Sequence, residues 1–195
     1  MEEVVVKHGP VAQPPSRCGA CGADLSMKGR YLVCTNTECR AIVEGRIKRW
    51  VGTQDIMEWG EKLVAQLVEA KLVKEPADLY RLEASQIAAL ERRGDVIAKK
   101  LLDNLHAKLP LSLPVFLASL GIDDFALETA KLVVSSGFDT LDKVQAATEE
   151  DLAGIKGMGA ATAKAVVAGI SARRDEIGRL IEVGVVPVAP AAGRS

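Results

Sequence analysis

Four cysteines, all that this 195-residue chain contains, lie between Cys18 and Cys39 as Cys18-x2-Cys21 and Cys34-x4-Cys39, with twelve residues between the pairs. Two close pairs on either side of a short loop can place four thiolates around one ion. Soft anionic sulfur suits Zn2+, a closed-shell ion that accepts tetrahedral ligation. Gly19 and Gly22 suit a tight first knuckle. Four protein ligands leave no position for water, so the expected role is structural. Two disulfides, or four unrelated thiols, are the other readings of the same residues. The paired spacing, with an N-terminus that does not look like a secretion signal, favours zinc over both. So short a segment cannot bury enough apolar surface to fold unaided, and metal binding would supply the missing free energy. Arg17, Lys28, Arg30, Arg40, Arg46, Lys48 and Arg49 surround the cluster, either as ordinary solvated surface or as a phosphate-facing knuckle.

A second chemical feature is the stretch Leu152-Ala153-Gly154-Ile155-Lys156-Gly157-Met158-Gly159-Ala160-Ala161-Thr162-Ala163. One helix ends near Ile155. Gly157 and Gly159 allow positive φ and keep side chains off the outer face of the turn. Met158 or Ile155 anchors the loop inward. The next helix then begins with small residues, so its free N–H groups and positive dipole end face outward. That is an anion site suited to a nucleic-acid phosphate, with Lys156 and Lys164 close enough to assist. Such a turn reads backbone rather than base sequence. The plainer alternative is a glycine-rich turn between core helices. The DNA-contact set expected here is Lys156, Gly157, Met158, Gly159, Ala160, Ala161 and Lys164.

Three weaker copies of the pattern occur upstream. Ile56-Met57-Glu58-Trp59-Gly60 keeps only its last glycine. Leu90-Glu91-Arg92-Arg93-Gly94 also keeps one, and its Arg92, Arg93 and Gly94 join the expected contact set through ionic and backbone contacts. Gly121-Ile122-Asp123-Asp124-Phe125-Ala126 places two carboxylates at the turn, where they would repel a phosphate.

The elements carrying these features follow from periodicity. Tyr31-Leu32-Val33 and Ala41-Ile42-Val43 suit the short strands of a zinc ribbon. From Trp50 the pattern becomes helical. Helices are expected at 77–82, 85–91 (N-capped by Ser85), 95–109, 113–120, 126–135, 140–147, 149–155, 160–172 and 175–183. No strand is expected after residue 50. The fold class is therefore mainly α: a small four-cysteine zinc ribbon or finger, then an all-α bundle of four helix-hairpin-helix units. The expected organisation is an extended arm over 1–16, the finger over 17–49, the hairpin domain over 50–184 and a flexible tail over 185–195.

Composition narrows the function classes. Hydrophobic residues are 48% and charged residues 26% of the chain, which excludes a wholly disordered protein. Aromatics are 4%, so the core is aliphatic. Residues 1–50 carry 8 basic and 5 acidic side chains and residues 51–195 carry 17 and 21, so nucleic-acid binding by the long segment must rest on local geometry. No apolar run approaches the roughly 20 residues of a membrane span. Cytoplasmic residence, with nucleoid association, is expected.

With cysteines and hairpins in place, the chain resembles the C-terminal half of the bacterial NAD-dependent DNA ligases over roughly residues 15–184. The resemblance rests on Cys18-Gly19-Ala20-Cys21, Cys34-Thr35-Asn36-Thr37-Glu38-Cys39 with Arg40-Ala41, Gly60-Glu61-Lys62-Leu63, Leu72-Val73-Lys74-Glu75-Pro76-Ala77-Asp78-Leu79-Tyr80, and Leu117-Ala118-Ser119-Leu120-Gly121-Ile122. It implies a finger and hairpins that clamp nicked duplex DNA while separate domains perform adenylation. No segment here resembles that adenylation domain or the family's nicotinamide-binding domain, and Met1–Gln13 is read as at most an OB-fold remnant. Glu58, Arg92 and Ala126 replace glycines of the family pattern. The function expected is thus non-catalytic DNA binding, to duplex or nicked DNA, with structural Zn2+ and no NAD bound by this chain alone. The alternatives are a ligase fragment or subunit working with a separately encoded catalytic domain, and a protein-interaction scaffold. No membrane partner is expected.

Overall fold

A computed structural model describes residues 14–28, 31–90 and 94–189, with Lys28 by its backbone alone. The expectations for residues 1–13, for the side chains of Lys28 and Arg30, for Arg92 and Arg93, and for residues 190–195 lie outside the described residues. The chain divides into two compact units, one up to Ile42 and one from Val43 onward.

In the first unit, β1 (Leu25–Lys28) pairs antiparallel with β2 (Tyr31–Cys34), with Leu25 opposite Cys34 and Met27 opposite Leu32. The expected second strand at Ala41-Ile42-Val43 is instead the start of a helix, α1 (Arg40–Thr53). Val43, Ile47, Trp50 and Val51 are its buried residues, a three-to-four spacing that strand alternation cannot satisfy. The expected boundary between residues 49 and 50 accordingly falls inside a continuous helix.

The second unit is helical. After α1 come α2 (Glu61–Glu69), α3 (Pro76–Leu79), α4 (Ala84–Ala88), α5 (Asp95–His106), α6 (Leu113–Ser119), α7 (Leu127–Ser135), α8 (Leu141–Ala146), α9 (Glu149–Ala153), α10 (Ala160–Ala172) and α11 (Arg174–Glu182). Ser85 lies inside the first turn of α4, whose N-cap is Glu83, where the Gln86 Oε1 accepts from the Glu83 amide at 2.8 Å. Trp50 is fully buried and packs edge-on against Phe116 and Tyr80, and its indole N–H donates to the Tyr80 hydroxyl at 3.2 Å. Residues Val185–Ala189, expected to fray, are fastened: Val185 is buried, and Val188 makes 2.8 Å backbone bonds with Leu111 and Leu113. No described helix is long and apolar enough to cross a membrane.

Two pairs of hairpins emerge, and within each pair loops lean on the partner's second helix. In the first loop the Trp59 indole donates to the Leu101 carbonyl of α5 at 2.9 Å, Glu58 pairs with Lys100 at 2.6 Å, and Asn104 donates to the Met57 carbonyl at 3.2 Å. The third and fourth hairpins do this reciprocally. Ile122 of the third loop lies against Gly169 of α10 so tightly that a Cβ there would overlap it, and Gly157 of the fourth loop faces Leu132 of α7.

Polar ties hold the periphery. Arg179 grips Glu75 with two bonds of 2.6 and 2.7 Å across 104 residues of chain. Arg46 and Arg173 both reach the buried Glu176 at 2.9 Å.

Gly169→Ala should destabilise the protein by about 1–3 kcal/mol through overpacking on Ile122, despite the gain in helix propensity. Gly178→Ala, in α11 with open space around it, should stabilise by up to about 1 kcal/mol. Urea unfolding midpoints read both; a shift of the same sign for the two variants would contradict the close α10 contact.

Candidate metal centre and nucleic-acid interface

Each cysteine pair sits on a backbone turn of its own. In the first, the Cys18 amide donates to Ala23 O at 2.7 Å and the Gly22 amide to Cys18 O at 2.8 Å, so the chain doubles back before β1. In the second, the Asn36 side chain accepts from the Glu38 amide at 3.0 Å and its carbonyl from the Cys39 amide at 3.0 Å, a local turn that Asn readily makes. Thr35 fastens the two knuckles: its amide and hydroxyl both donate to Asp24 O, at 3.1 and 2.9 Å.

The result brings all four Sγ atoms within 4.8 Å of one another. The short separations run between the knuckles: Cys18 to Cys39 at 3.8 Å and Cys21 to Cys34 at 3.5 Å. Tetrahedral sulfurs bonded at about 2.3 Å to one ion stand roughly 3.8 Å apart, so the donor set fits a single metal. A disulfide needs about 2.05 Å, and all four thiols are free. The Cys18 thiol is drawn down to about 7, chiefly by the backbone N–H groups of Ala20 and Cys21. Cys34 receives a similar pull from the Asn36 amide, but desolvation and the neighbouring cysteine sulfurs outweigh it and push it up to about 12. Four thiols this crowded resist ionising together, and a dication among them removes that penalty.

The fourth hairpin leaves its helix start bare. Ile155 and Met158 are both buried, 9% and 7% exposed, and pin the loop from inside. Met158 therefore supports the turn, and its side chain does not join the outer surface as a contact. Gly157 has φ of +99°, whereas Gly159 takes an ordinary extended conformation (φ −81°, ψ 155°) as N-cap of α10. Positive φ is thus required at one of the two glycines; the other matters because a Cβ there would occupy open space above the helix start. Lys156, Gly157, Gly159, Ala160, Ala161 and Lys164 are all exposed.

The same loop backbone recurs at the first and third hairpins. Glu58 and Asp124, standing where Gly157 does, have φ of 69° and 57°. Gly60, Gly94 and Ala126 are extended N-caps like Gly159, and none of the four helices has a side-chain cap. By contrast the Thr140 and Thr148 hydroxyls cap α8 and α9, accepting from the Lys143 and Asp151 amides. The four hairpin helices differ in charge. Glu61, Asp95 and Glu128 stand in the first turns of α2, α5 and α7, while α10 has no acid there. First-turn acids occupy the field that would otherwise draw an anion. Sequence reasoning treated the three upstream copies as weaker, for missing glycines and, at the third, for its two carboxylates; the structure adds that the loop geometry persists at the first and third and the extended N-cap at all three.

Residues 127–172 match a family described as a SAM-like helix-hairpin-helix tandem. Almost the whole chain is similar to proteins named DNA ligase: 55% identical over 192 residues to that of Sorangium cellulosum, covering 98% of this chain and 28% of the relative. The corresponding proteins of Treponema denticola and Treponema pallidum are 31% and 34% identical over 176 and 181 residues, 27% and 22% of their lengths. The chain therefore spans about a quarter of the relatives it matches. The expected resemblance to part of the DNA ligases holds, as does the mainly helical fold with four clustered cysteines.

One equivalent of a divalent metal per chain should protect all four thiols from alkylation, with uptake weakening as pH falls and the sulfurs protonate. Cys34→Ser should lose that protection. Thiol labelling at fixed pH, with and without metal, measures it; four thiols alkylated equally fast in both states would contradict a shared site.

Proposed function

We propose that this chain is a DNA-binding module that grips duplex or nicked DNA through backbone phosphates, with Zn2+ as a structural ion on Cys18, Cys21, Cys34 and Cys39. The observation that carries the reading is the start of α10: exposed, without a side-chain cap, free of acids in its first turn and flanked by Lys156 and Lys164. Amides at such a helix start can donate to an oxyanion at little cost, because no competing group must be displaced. The similarity to DNA ligases supplies the class of anion. Gly94, the exposed N-cap of α5, is a secondary phosphate contact in this reading, with Arg92 and Arg93 beside it in sequence.

The chain performs no chemistry alone in this proposal. Lys62, Lys99, Lys156 and Lys164 are exposed on helical surfaces or turns, whereas a nucleophilic lysine needs a desolvated pocket or a cationic neighbour to depress its pKa. NAD is expected on other parts of a ligase. A second reading follows from the relatives themselves: the module serves nick sealing beside a catalytic domain, in the same or another polypeptide, in the cytoplasm and close to the nucleoid.

Ala161→Glu separates binding from folding. An acid at the second position of α10 favours the helix dipole by roughly 0.3–1 kcal/mol, so the melting temperature should hold or rise. Duplex affinity should drop about 10- to 150-fold, the worth of a charged hydrogen bond. Fluorescence anisotropy on nicked and intact duplexes across a salt series checks it. Unchanged affinity in the variant, or a wild-type affinity indifferent to salt, would overturn the phosphate reading.

A further inference from the structure

The third hairpin presents Asp123 and Asp124 at its own loop, which disfavours a phosphate at its amides, yet cations gather directly behind it. The guanidinium stem of Arg49, from α1, lies across Gly121, so close that a Cβ on this glycine would overlap Arg49 Cδ. Gly121 has φ of +66°, so both its backbone and the space above it call for glycine. Arg173, at the junction of α10 and α11, donates to the Gly121 carbonyl at 3.3 Å. Arg173 and Arg46 also share Glu176, which is 7% exposed and has both oxygens engaged at 2.9 Å. Three arginines therefore gather around Gly121 and Glu176, and the carboxylate among them is already spent on two. Arg49 is exposed and has no ion pair with any described residue.

We infer that Arg49, laid across Gly121 and backed by Arg173, is a second DNA-phosphate contact of this module, serving the third hairpin in place of its loop amides. The inference rests on the DNA-binding reading and deepens it. Uncompensated positive charge gives the attraction, and the planar fork of a guanidinium gives the match to phosphate oxygens. Fixing the arginine stem against a glycine reduces the side-chain entropy lost when the phosphate is bound. Arg173 joins the patch at the far end of α10 from Ala160. That helix has 13 residues, about 18 Å of rise, so the two contacts address different phosphates.

The test is duplex binding over a salt series by wild type, Arg49→Gln, Arg49→Lys and Ala161→Glu. For Arg49→Gln the slope of log K against log salt should fall by about one. Its curve should meet that of the wild type near 1 M salt and lie roughly eightfold below it at 0.1 M. Arg49→Lys keeps the charge and should restore the slope. Equal losses in the Gln and Lys variants would overturn the ionic contact in favour of a packing role at Gly121. A wild-type slope in Arg49→Gln, with binding still weakened in Ala161→Glu, would overturn this inference and leave the module a DNA binder. Absence of salt-dependent binding in the wild type would remove both readings.

Discussion

A hairpin loop of this kind turns two apolar side chains inward and leaves the amides of the following helix outside. Everything at the candidate interface depends on that division. Ile155 and Met158 are in the core, so the chain between them cannot rotate to cover Ala160 and Ala161. The reciprocal contacts of the third and fourth hairpins support the same arrangement from the other side, because the third loop is wedged against α10 and the fourth rests against α7. The helix start is thus unpaired by construction. An orphan donor left exposed costs little in water, and it stays available to a ligand.

Sharing an extended, uncapped helix start does not give the four hairpins equal chemistry. Three carry an acid in the first helical turn and the fourth does not. Glu58 is further neutralised by Lys100 across the first pair. These carboxylates help their own helices through the dipole while lowering the attraction for an anion. Under the proposed DNA-binding reading, the upstream hairpins would be architecture for the fourth, with Arg49 beside a loop whose own charge is unfavourable.

The first unit solves a different problem. Its two four-residue strands form one short ribbon, and such a ribbon is marginal in water without further support. The two knuckles bring four sulfurs to one centre, where a bound cation would relieve the thiol crowding. With a metal bound there, folding and metal binding would be one equilibrium, with proton release as its third partner.

Several things were legible in the residues alone. The cysteine spacing names the candidate ligand set, which the fold brings together, because four thiolates in two close pairs have few other uses. The extent of α10, Ala160–Ala172, follows from a glycine N-cap and a sustained apolar period. Thr148 as a cap of α9 is a matter of local chemistry. What failed did so for non-local reasons. Ala41-Ile42-Val43 is as good a strand as a helix over three residues, and only the burial of Ile47 and Trp50 beyond it decides. Val185–Ala189 is short and contains Pro187, yet one buried valine and two backbone bonds to Leu111 and Leu113 hold it. Gly159 and Gly157 look interchangeable in sequence, but only one has positive φ. The convergence of Arg46, Arg49 and Arg173 joins residues more than a hundred positions apart. Charge carries no periodic signal of its neighbours, so that patch exists only once the helices have packed.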